Sequence, residues 1–548
     1  MRPLLTAVVL WVTASVAFAA ETPDSLAARA FEDAQMATSS RTAVSLSQAA
    51  ARLGAGDPDL AELVRRRQEV DSRFRAVDAE RARALGQPGE AARRRAVELQ
   101  AISGEAAAEA ARLDQEIAAR FPAYADLTSP APLPLSETRA LLARDEALVL
   151  IVPAADGTYI WAVRADRSVW ARGEMDADAV AATVATLRAA LDPGAGVRAA
   201  VDASGMDRPV ERGLPPFPRA AAHALYRSVW APVEPVLKGA RTVYVVQAGS
   251  LSALPLSVLP TRPPRGDDAD PRALRATPWL FTRHALATLP AVSSLRAVRR
   301  APDRSGAASA FAGFGDPALE GDPAGEGPRS VEAYWRSGAP DLAAIKSLPR
   351  LPGSAAELKA LARALRAPEA SVVTGAAATE AAVRSADLSA TRVVAFATHG
   401  LLAGEIGGVE EPALVLTPVG ADGADDGLLT ASEAAGLHLA ADWVVLSACN
   451  TAAGDGKGGL SAGGEGLSGL ARAFFHAGAR ALLVSHWRVR DDLAAQLTTA
   501  TIEAHARNPR LGRAGALQAA MKDMLRRGDP AMVHPSAWAP FVVAGEGR

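Results

Sequence analysis

Only one cysteine occurs among the 548 residues. An internal disulfide is therefore excluded, and the single thiol, Cys449, is either an inert buried side chain or a reactive one. Charge imbalance is also missing. The 59 basic and 61 acidic residues leave a net charge of −2, which gives no electrostatic ground for a nucleic-acid partner. Lysine is scarce, five against 54 arginines, a bias that suggests a GC-rich bacterial genome and says nothing about mechanism. The eight histidines are scattered. None stands at a metal-ligand spacing from another histidine or from the cysteine, so neither a metal nor a cofactor is expected. What is present is a chain 49% hydrophobic and 22% charged, long enough for two or three cores.

Long apolar runs are confined to the N-terminus. Met1-Arg2 gives a short positive start, residues 4–17 are apolar, and Ala17-Phe18-Ala19 fits the small-x-small rule before the polar Glu21-Thr22-Pro23-Asp24. The pattern predicts a cleaved secretory signal over residues 1–19, with an uncleaved anchor as the alternative. The run is short for a membrane span of about 20 residues. No other stretch is apolar enough to cross a bilayer, so no stable membrane span is expected after cleavage. The expected location is the periplasm or the medium around a bacterial cell.

Residues 20–128 read as a helical arm. Leu60, Leu63, Val70, Phe74 and Val77 recur at helical spacing, Gly86-Gln87-Pro88-Gly89 breaks the pattern, and Leu99, Ile102, Leu113 and Ile117 resume it. An antiparallel hairpin is predicted, either a plain structural element or a surface for a protein partner. No internal period or Trp-Leu-Gly signature marks helical repeats. Ser129-Pro130-Ala131-Pro132-Leu133-Pro134 reads as a linker, after which the period becomes strand-like. Residues 147–152 and 158–163 flank a hairpin turn, and 242–247 form a further strand, giving an N-terminal α/β half over 135–300. Stretches 261–278 and 300–329, rich in Pro, Gly, Asp and Arg, read as surface loops open to nicking.

A second α/β domain is expected over 305–548. From residue 348 onward strands and helices alternate, the pattern of a mostly parallel sheet covered on both faces. Residues 393–397, 443–446 and 481–484 are near-continuous apolar runs, as in buried parallel strands. Thr430-Ala431-Ser432-Glu433 is a capping box opening a helix, and Leu467, Leu470, Ala471, Phe474 and Phe475 form the apolar stripe of another.

His399 and Cys449 each stand just past the carboxyl end of one of these strands, the edge along which open α/β sheets bind ligands. Neighbouring strands are about 5 Å apart, so side chains leaving adjacent ends can meet. An unperturbed thiol has a pKa of about 8.5, and a nearby imidazole makes it more nucleophilic. The order and the 50-residue spacing agree with caspase-type enzymes, whose histidine lies about 50 residues upstream. Small residues surround the thiol in Ser447-Ala448-Cys449-Asn450-Thr451-Ala452-Ala453-Gly454, leaving room for a substrate. Backbone amides of Gly400 and Cys449 are the candidate oxyanion donors, worth about 3 kcal/mol each in comparable sites.

Four strings, in order, carry a resemblance: Ala397-Thr398-His399-Gly400, Leu446-Ser447-Ala448-Cys449-Asn450-Thr451, Gly464-Glu465-Gly466-Leu467-Ser468 and Ser485-His486-Trp487-Arg488-Val489. Residues 348–543 resemble the CHAT-domain family, relatives of caspases, separases and gingipains, with weaker similarity reaching back to about residue 135 and including Gly249-Ser250-Leu251-Ser252-Ala253-Leu254-Pro255. The resemblance implies a caspase-like α/β fold, often preceded by a catalytically silent half and, in many members, by tetratricopeptide helices. It implies peptidase activity on protein or peptide substrates through a Cys-His dyad, carried here onto Cys449 and His399. Relatives often hold a basic substrate side chain with an acidic residue downstream of the cysteine, and Asp491 is the matching position. Asp491-Asp492 before a helix-forming run also reads as an N-cap, and Arg490 stands where the family commonly has an acidic pair.

Two formal motifs have bland readings. Residues 459–463 match a nucleophile elbow but lie in a glycine-rich loop about ten residues past the strand. Residues 464–469 match a dinucleotide fingerprint without the strand that must precede it, so the loop reads as a cleft wall with Glu465 near a helix N-terminus. The expected function is an exported cysteine endopeptidase. A non-catalytic scaffold using the helical arm and a caspase-like body is the alternative, and transfer of the acyl group to an amine is a third.

Overall fold

The structure, a computed structural model, describes residues 23–39, 90–120, 132–192, 214–300, 309–321, 335–336, 339–340, 345–401, 412–420, 425–447, 469–487, 489–527 and 529–548, with scattered positions between 59 and 81. The signal expected over residues 1–19 lies outside the described residues.

The apolar spacing between residues 60 and 117 closes into an antiparallel helical pair. The described positions from 59 to 81 are helical and face α2 (Glu90–Arg120), while α1 (Pro23–Ser39) stands apart from that pair. Leu63 and Val70 bury with Ala106, Leu113 and Ile117, and Val77 packs on Ala96 and Leu99. Arg120–Asp59 at 2.6 Å, Arg67–Asp114 at 2.8 Å and the Arg73–Glu109 pair all straddle a point near residue 90, as only antiparallel helices can. These exposed pairs each contribute about 0–1 kcal/mol, so the apolar seam holds the hairpin.

α1 docks on the body instead. Phe31 is fully buried, its ring centroid 6.4 Å from that of Trp161. The Gln35 amide bonds Leu133 twice, donating Nε2–H to its carbonyl at 3.0 Å and accepting its N–H at 2.9 Å. Gln35→Leu strands two buried backbone groups at about 1–3 kcal/mol each. Tryptic cleavage after the exposed Arg29 is therefore expected to accelerate at least tenfold in this variant, with the body's unfolding midpoint little changed. An unchanged cleavage rate would show that Gln35 does not hold α1 down.

Eleven strands form one sheet: β1 (Glu146–Ala154), β2 (Gly157–Val163), β3 (Ser168–Gly173), β4 (Thr242–Gln247), β5 (Ala285–Thr288), β6 (Ser309–Pro317), β7 (Val372–Gly375), β8 (Thr391–Ala397), β9 (Trp443–Ser447), β10 (Ala481–Ser485) and β11 (Phe541–Gly545). Their order is β3-β2-β1-β4-β5-β11-β10-β9-β8-β6-β7. β1, β4, β5 and β11 run parallel, and so do β10, β9, β8, β6 and β7. The two sets meet where β11 pairs antiparallel with β10. The last strand of the chain thus sits in the middle of the sheet, and the carboxyl edges of the two sets face opposite ways.

Alternation of side chains explains the layering of the second set. Val394, Phe396, Val444, Leu446, Leu482 and Val484 bury on one face beneath the helices 431–435 and 469–476. Val393, Ala395, Trp443, Val445 and Leu483 bury on the other, where α4 (Pro352–Ala364) and α5 (Asp491–Arg507) pack; here α3 denotes Ala177–Leu191, from the first half, and α6 denotes Gly512–Arg526. Phe396 lies between Phe314 and Phe474, with centroids 5.5 and 5.3 Å away. The capping box forms with both reciprocal bonds, Thr430 to the Glu433 amide and Glu433 to the Thr430 amide.

One loop expectation is corrected. Within 300–329, residues 309–317 are β6, in the body of the sheet beside β8. Gly313 and Gly315 disguise it by lowering strand propensity, yet glycine is required: a Cβ on Gly315 would lie 2.3 Å from the Ala397 carbonyl oxygen. The 261–278 stretch is the expected surface loop apart from the short helix Pro271–Arg275, and one side chain anchors it. Arg219, fully buried, donates to the Asp268 carboxylate at 2.6 Å, to the carbonyls of Gly266, Asp267 and Ala273, and to the Thr277 hydroxyl.

A buried ionic hub ties the last strand to the first half. Arg299 reaches Glu146 at 2.7 Å and Glu546 at 2.8 Å, and the Tyr244 hydroxyl donates to Glu546 at 2.8 Å. Arg548 adds a second guanidinium, 3.2 Å from Glu146.

Candidate active site

β8 and β9 are parallel neighbours with Ala397 opposite Ser447. His399 and Cys449 each follow that register pair by two residues in the sequence. Cys449, with residues 448–468 and therefore Glu465 and both glycine-rich strings, lies outside the described residues.

His399 is held from two sides. Its carbonyl accepts the Val415 N–H at 2.9 Å, and the preceding Thr398 hydroxyl donates to the Val415 carbonyl. On the ring, Nε2 lies 2.7 Å from the Pro349 carbonyl oxygen. A carbonyl can only accept, so Nε2 carries the proton and Nδ1 is the basic nitrogen of the neutral ring. Gly400 pairs with Leu414 immediately beyond the hydrogen-bonded His399–Val415 position. It therefore occupies a non-hydrogen-bonded pair, and its N–H turns away from the 413–415 strand.

One stretch of chain touches three neighbouring strand ends. Pro349 bonds His399. The Ser354 hydroxyl accepts the Asp316 N–H at 2.9 Å, at the end of β6. Glu357 accepts the Ser447 hydroxyl at 2.9 Å, at the end of β9.

Asp316 was not signalled by the sequence reading. It has φ +42°, one of two non-glycine residues at positive φ among the described residues. Backbone strain of this kind clusters at functional sites. Its Oδ1 is buried without a hydrogen-bond partner among the described residues, and burial raises its pKa above the usual carboxylate range, opposed by Arg350. Since Gly315 is in register with Ala397, Asp316 stands one strand from His399 on the same rim. The signal available in the sequence was the Gly-Phe-Gly-Asp-Pro end of an apolar run, masked by its glycines. Pro349 and Glu357 left no signal, because one acts through its backbone and the other is a glutamate in an ordinary helix.

On the far side of β9, His486 follows β10. It is buried, Nδ1 has no hydrogen-bond partner among the described residues, and burial together with Arg188 pushes its pKa down to about 3, so it is neutral at physiological pH. Arg188, from α3 in the first half, donates to the His486 carbonyl at 3.0 Å and sits 5.2 Å over the Trp487 ring. Asp491 is the first residue of α5, with Arg490 at the capping position and no side-chain cap bond. Asp492 is exposed and pairs with Arg490 at 2.7 Å. Among the described residues no group of three His, Cys, Asp or Glu side chains is placed to hold a metal ion, and no helix is long and apolar enough to cross a membrane.

No curated protein matches this chain. Among solved structures it is similar to the Arg-specific cysteine proteinase gingipain R, with 10% identity, a TM-score of 0.32, and 61% of this chain and 68% of that one covered. It is also similar to separase in the Saccharomyces cerevisiae separase–securin complex, with 9% identity, a TM-score of 0.38, and 74% of this chain covered. The chain spans 30% of that structure's length. Sequence comparison is more specific: residues 219–546 match the CHAT domain, and over this larger part of its length the chain belongs to the CHAT domain family.

Proposed function

We propose that the protein is a cysteine endopeptidase, exported by a bacterial cell, with Cys449 as nucleophile and His399 as its base. The observation that carries this reading is the Ala397–Ser447 register together with the Nε2 bond to Pro349, which leaves Nδ1 as the basic nitrogen on the rim that Cys449 follows. Nδ1 takes the thiol proton, and the thiolate adds to a peptide carbonyl. The amides of Gly400 and Cys449 stabilise the oxyanion, and the imidazolium returns its proton to the leaving amine. The resulting thioester is hydrolysed by water with the same ring as base.

A basic side chain on the substrate's acyl side is the preferred class. Asp316 supports it: a carboxylate with an unpartnered oxygen, one strand from His399, gains most from a cationic guest. Asp491 remains the second candidate, and Glu465 is assigned to the cleft wall.

Electrophilic peptide probes carrying Arg, Leu or Asp at P1, followed by mass spectrometry, test the reading. The expected result is a label on Cys449 that forms fastest with Arg. No label on Cys449 with any probe would end the peptidase reading. Asp316→Asn is expected to slow the Arg probe by about 10–100-fold, the worth of one charge-assisted bond, and to leave the Leu probe unchanged. If Asp491→Asn produces that selectivity loss instead, the specificity role belongs there.

A further inference from the structure

We propose that Glu380 is a positioning residue for His399: it clasps the hairpin whose first strand holds the histidine's backbone, and the clasp loosens as the pH rises to neutrality. The clasp stands on its own contacts, and its catalytic consequence rests on the reading of His399 as the base.

The hairpin pairs strands 413–415 and 428–430, and just beyond them the Leu416 N–H donates to the Gly427 carbonyl at 2.7 Å. Its first strand also pairs with residues 400–401, and there the Val415 N–H reaches the His399 carbonyl. Glu380, 1% exposed, is the first residue of the helix 380–385. Its Oε1 accepts the Gly427 N–H at 2.8 Å, and its Oε2 accepts from the Arg384 guanidinium at 3.0 Å. Asp425 closes the clasp from the hairpin, accepting the Ala381 N–H and Arg384, each at 2.9 Å. Thr417 adds two bonds at 2.8 Å, from its N–H to the Ala378 carbonyl and from its hydroxyl to the Gly375 carbonyl. Gly427 therefore divides its backbone groups: its N–H goes to Glu380 and its carbonyl to the strand that holds His399.

Charged groups face Glu380 from each element packed around it: Arg384 on its own helix, Asp425 and Asp426 on the hairpin, and Glu433 on the helix 431–435, 3.9 Å from Arg384. Among the described residues four carboxylates thus share one guanidinium, and the most deeply buried of them is the one least able to keep its charge. Burial pushes the Glu380 pKa up to about 7, with Glu433 and Asp426 adding to it and the Gly427 N–H and Arg384 opposing. A carboxyl whose pKa is higher in the folded state stabilises its surroundings fully below its ordinary value of 4.5, and loses that contribution as the pH rises to about 7. Ionised Glu380 is better solvated outside the clasp, so the hairpin opens more often near neutrality. Opening takes the Val415 bond from the His399 backbone and leaves the ring its Nε2 bond to Pro349.

Hydrogen exchange at the Val415 and Leu416 amides, whose acceptors are His399 and Gly427, reads the clasp without any peptide hydrolysis. Their protection, corrected for the intrinsic pH dependence of exchange, is expected to fall at least about tenfold between pH 5 and pH 7.5 in the natural protein and to level off above. Glu380→Gln cannot ionise and keeps an acceptor for Gly427, so its protection is expected to stay within about twofold over that range. Arg384→Met removes the cation that favours ionised Glu380, and its fall is expected to extend to higher pH. Protection that is flat with pH in the natural protein, or a fall that survives in Glu380→Gln, overturns the proposal. If Glu380→Gln folds poorly, Arg384→Met carries the test, and a fall that levels off at the natural pH overturns it. On an arginine peptide, kcat of Glu380→Gln relative to the natural protein is expected near one at pH 5.5 and about two- to fivefold higher at pH 8. A ratio flat with pH, with the fall in protection present, overturns the positioning of His399. A fall in protection with no hydrolysis by either protein keeps the clasp and overturns the peptidase reading.

Discussion

Cys449→Ala is expected to bring peptide hydrolysis down to background, and His399→Ala to lower kcat by about 10²–10⁴ with KM changed far less. Both are read on a fluorogenic peptide with arginine before the scissile bond. The chain offers no replacement thiol, so nothing within it rescues the first variant. The second loses only proton transfer, because the Pro349 carbonyl that orients the ring is backbone and survives the substitution. The two losses act through one step, so the double variant is expected to be no slower than Cys449→Ala alone. A chain that keeps its cellular function as Cys449→Ala works as a binding scaffold, with the α/β body and the helical pair supplying surface rather than chemistry.

The largest stability effect is expected from Arg299→Met. Arg299 is 9% exposed and joins Glu146 and Glu546, at 1% and 4% exposure. Removing it strands two buried carboxylates, which costs about 3–5 kcal/mol at neutral pH. Burial by itself raises the pKa of Glu546, but Arg299, the Arg548 N–H and the Tyr244 hydroxyl together outweigh burial and hold it below the usual glutamate value. A depressed folded-state pKa contributes stability above the unfolded carboxylate range and loses it as pH falls through the folded value. In Arg299→Met the strongest opposition to burial is lost and the Glu546 pKa rises, so the variant gains on the natural protein as the pH falls from 7 toward 4. Urea unfolding at pH 7 and pH 4.5 checks this: the gap between the two proteins is expected to narrow at the lower pH. A gap that stays constant would mean that Arg548, 3.2 Å from Glu146, already carries the compensation.

The helical pair was readable because its contacts repeat every three or four residues along one chain segment, from Leu63 against Leu113 to Val77 against Leu99. The strands before His399 and Cys449 were readable for a similar reason: a parallel strand buried on both faces is a short continuous apolar run, and β8, β9 and β10 extend those runs by only one or two residues. β6 was not. Gly315 is selected by the 2.3 Å approach to Ala397, on a strand about 80 residues away, and Gly313 by crowding from Phe311 and Leu358, and those demands erase the local signature of a strand. The loop reading of 261–278 holds apart from the helix Pro271–Arg275, but the anchor that orders the loop, the buried guanidinium of Arg219, lies outside the stretch and left no local signal.

For this protein the sequence by itself determined the helical pair, the apolar parallel strands and that His399 and Cys449 follow the ends of two of those strands, since periodicity, capping and strand-end position are local properties of the chain. Only the tertiary structure decided that β11 joins two oppositely directed sets of strands, that a proline carbonyl 50 residues away fixes the histidine's tautomer, and that Glu357 reaches Ser447 and Thr498 across 90 and 141 residues. Those contacts join backbone and polar groups from distant segments, and burial selects them only after the sheet has closed.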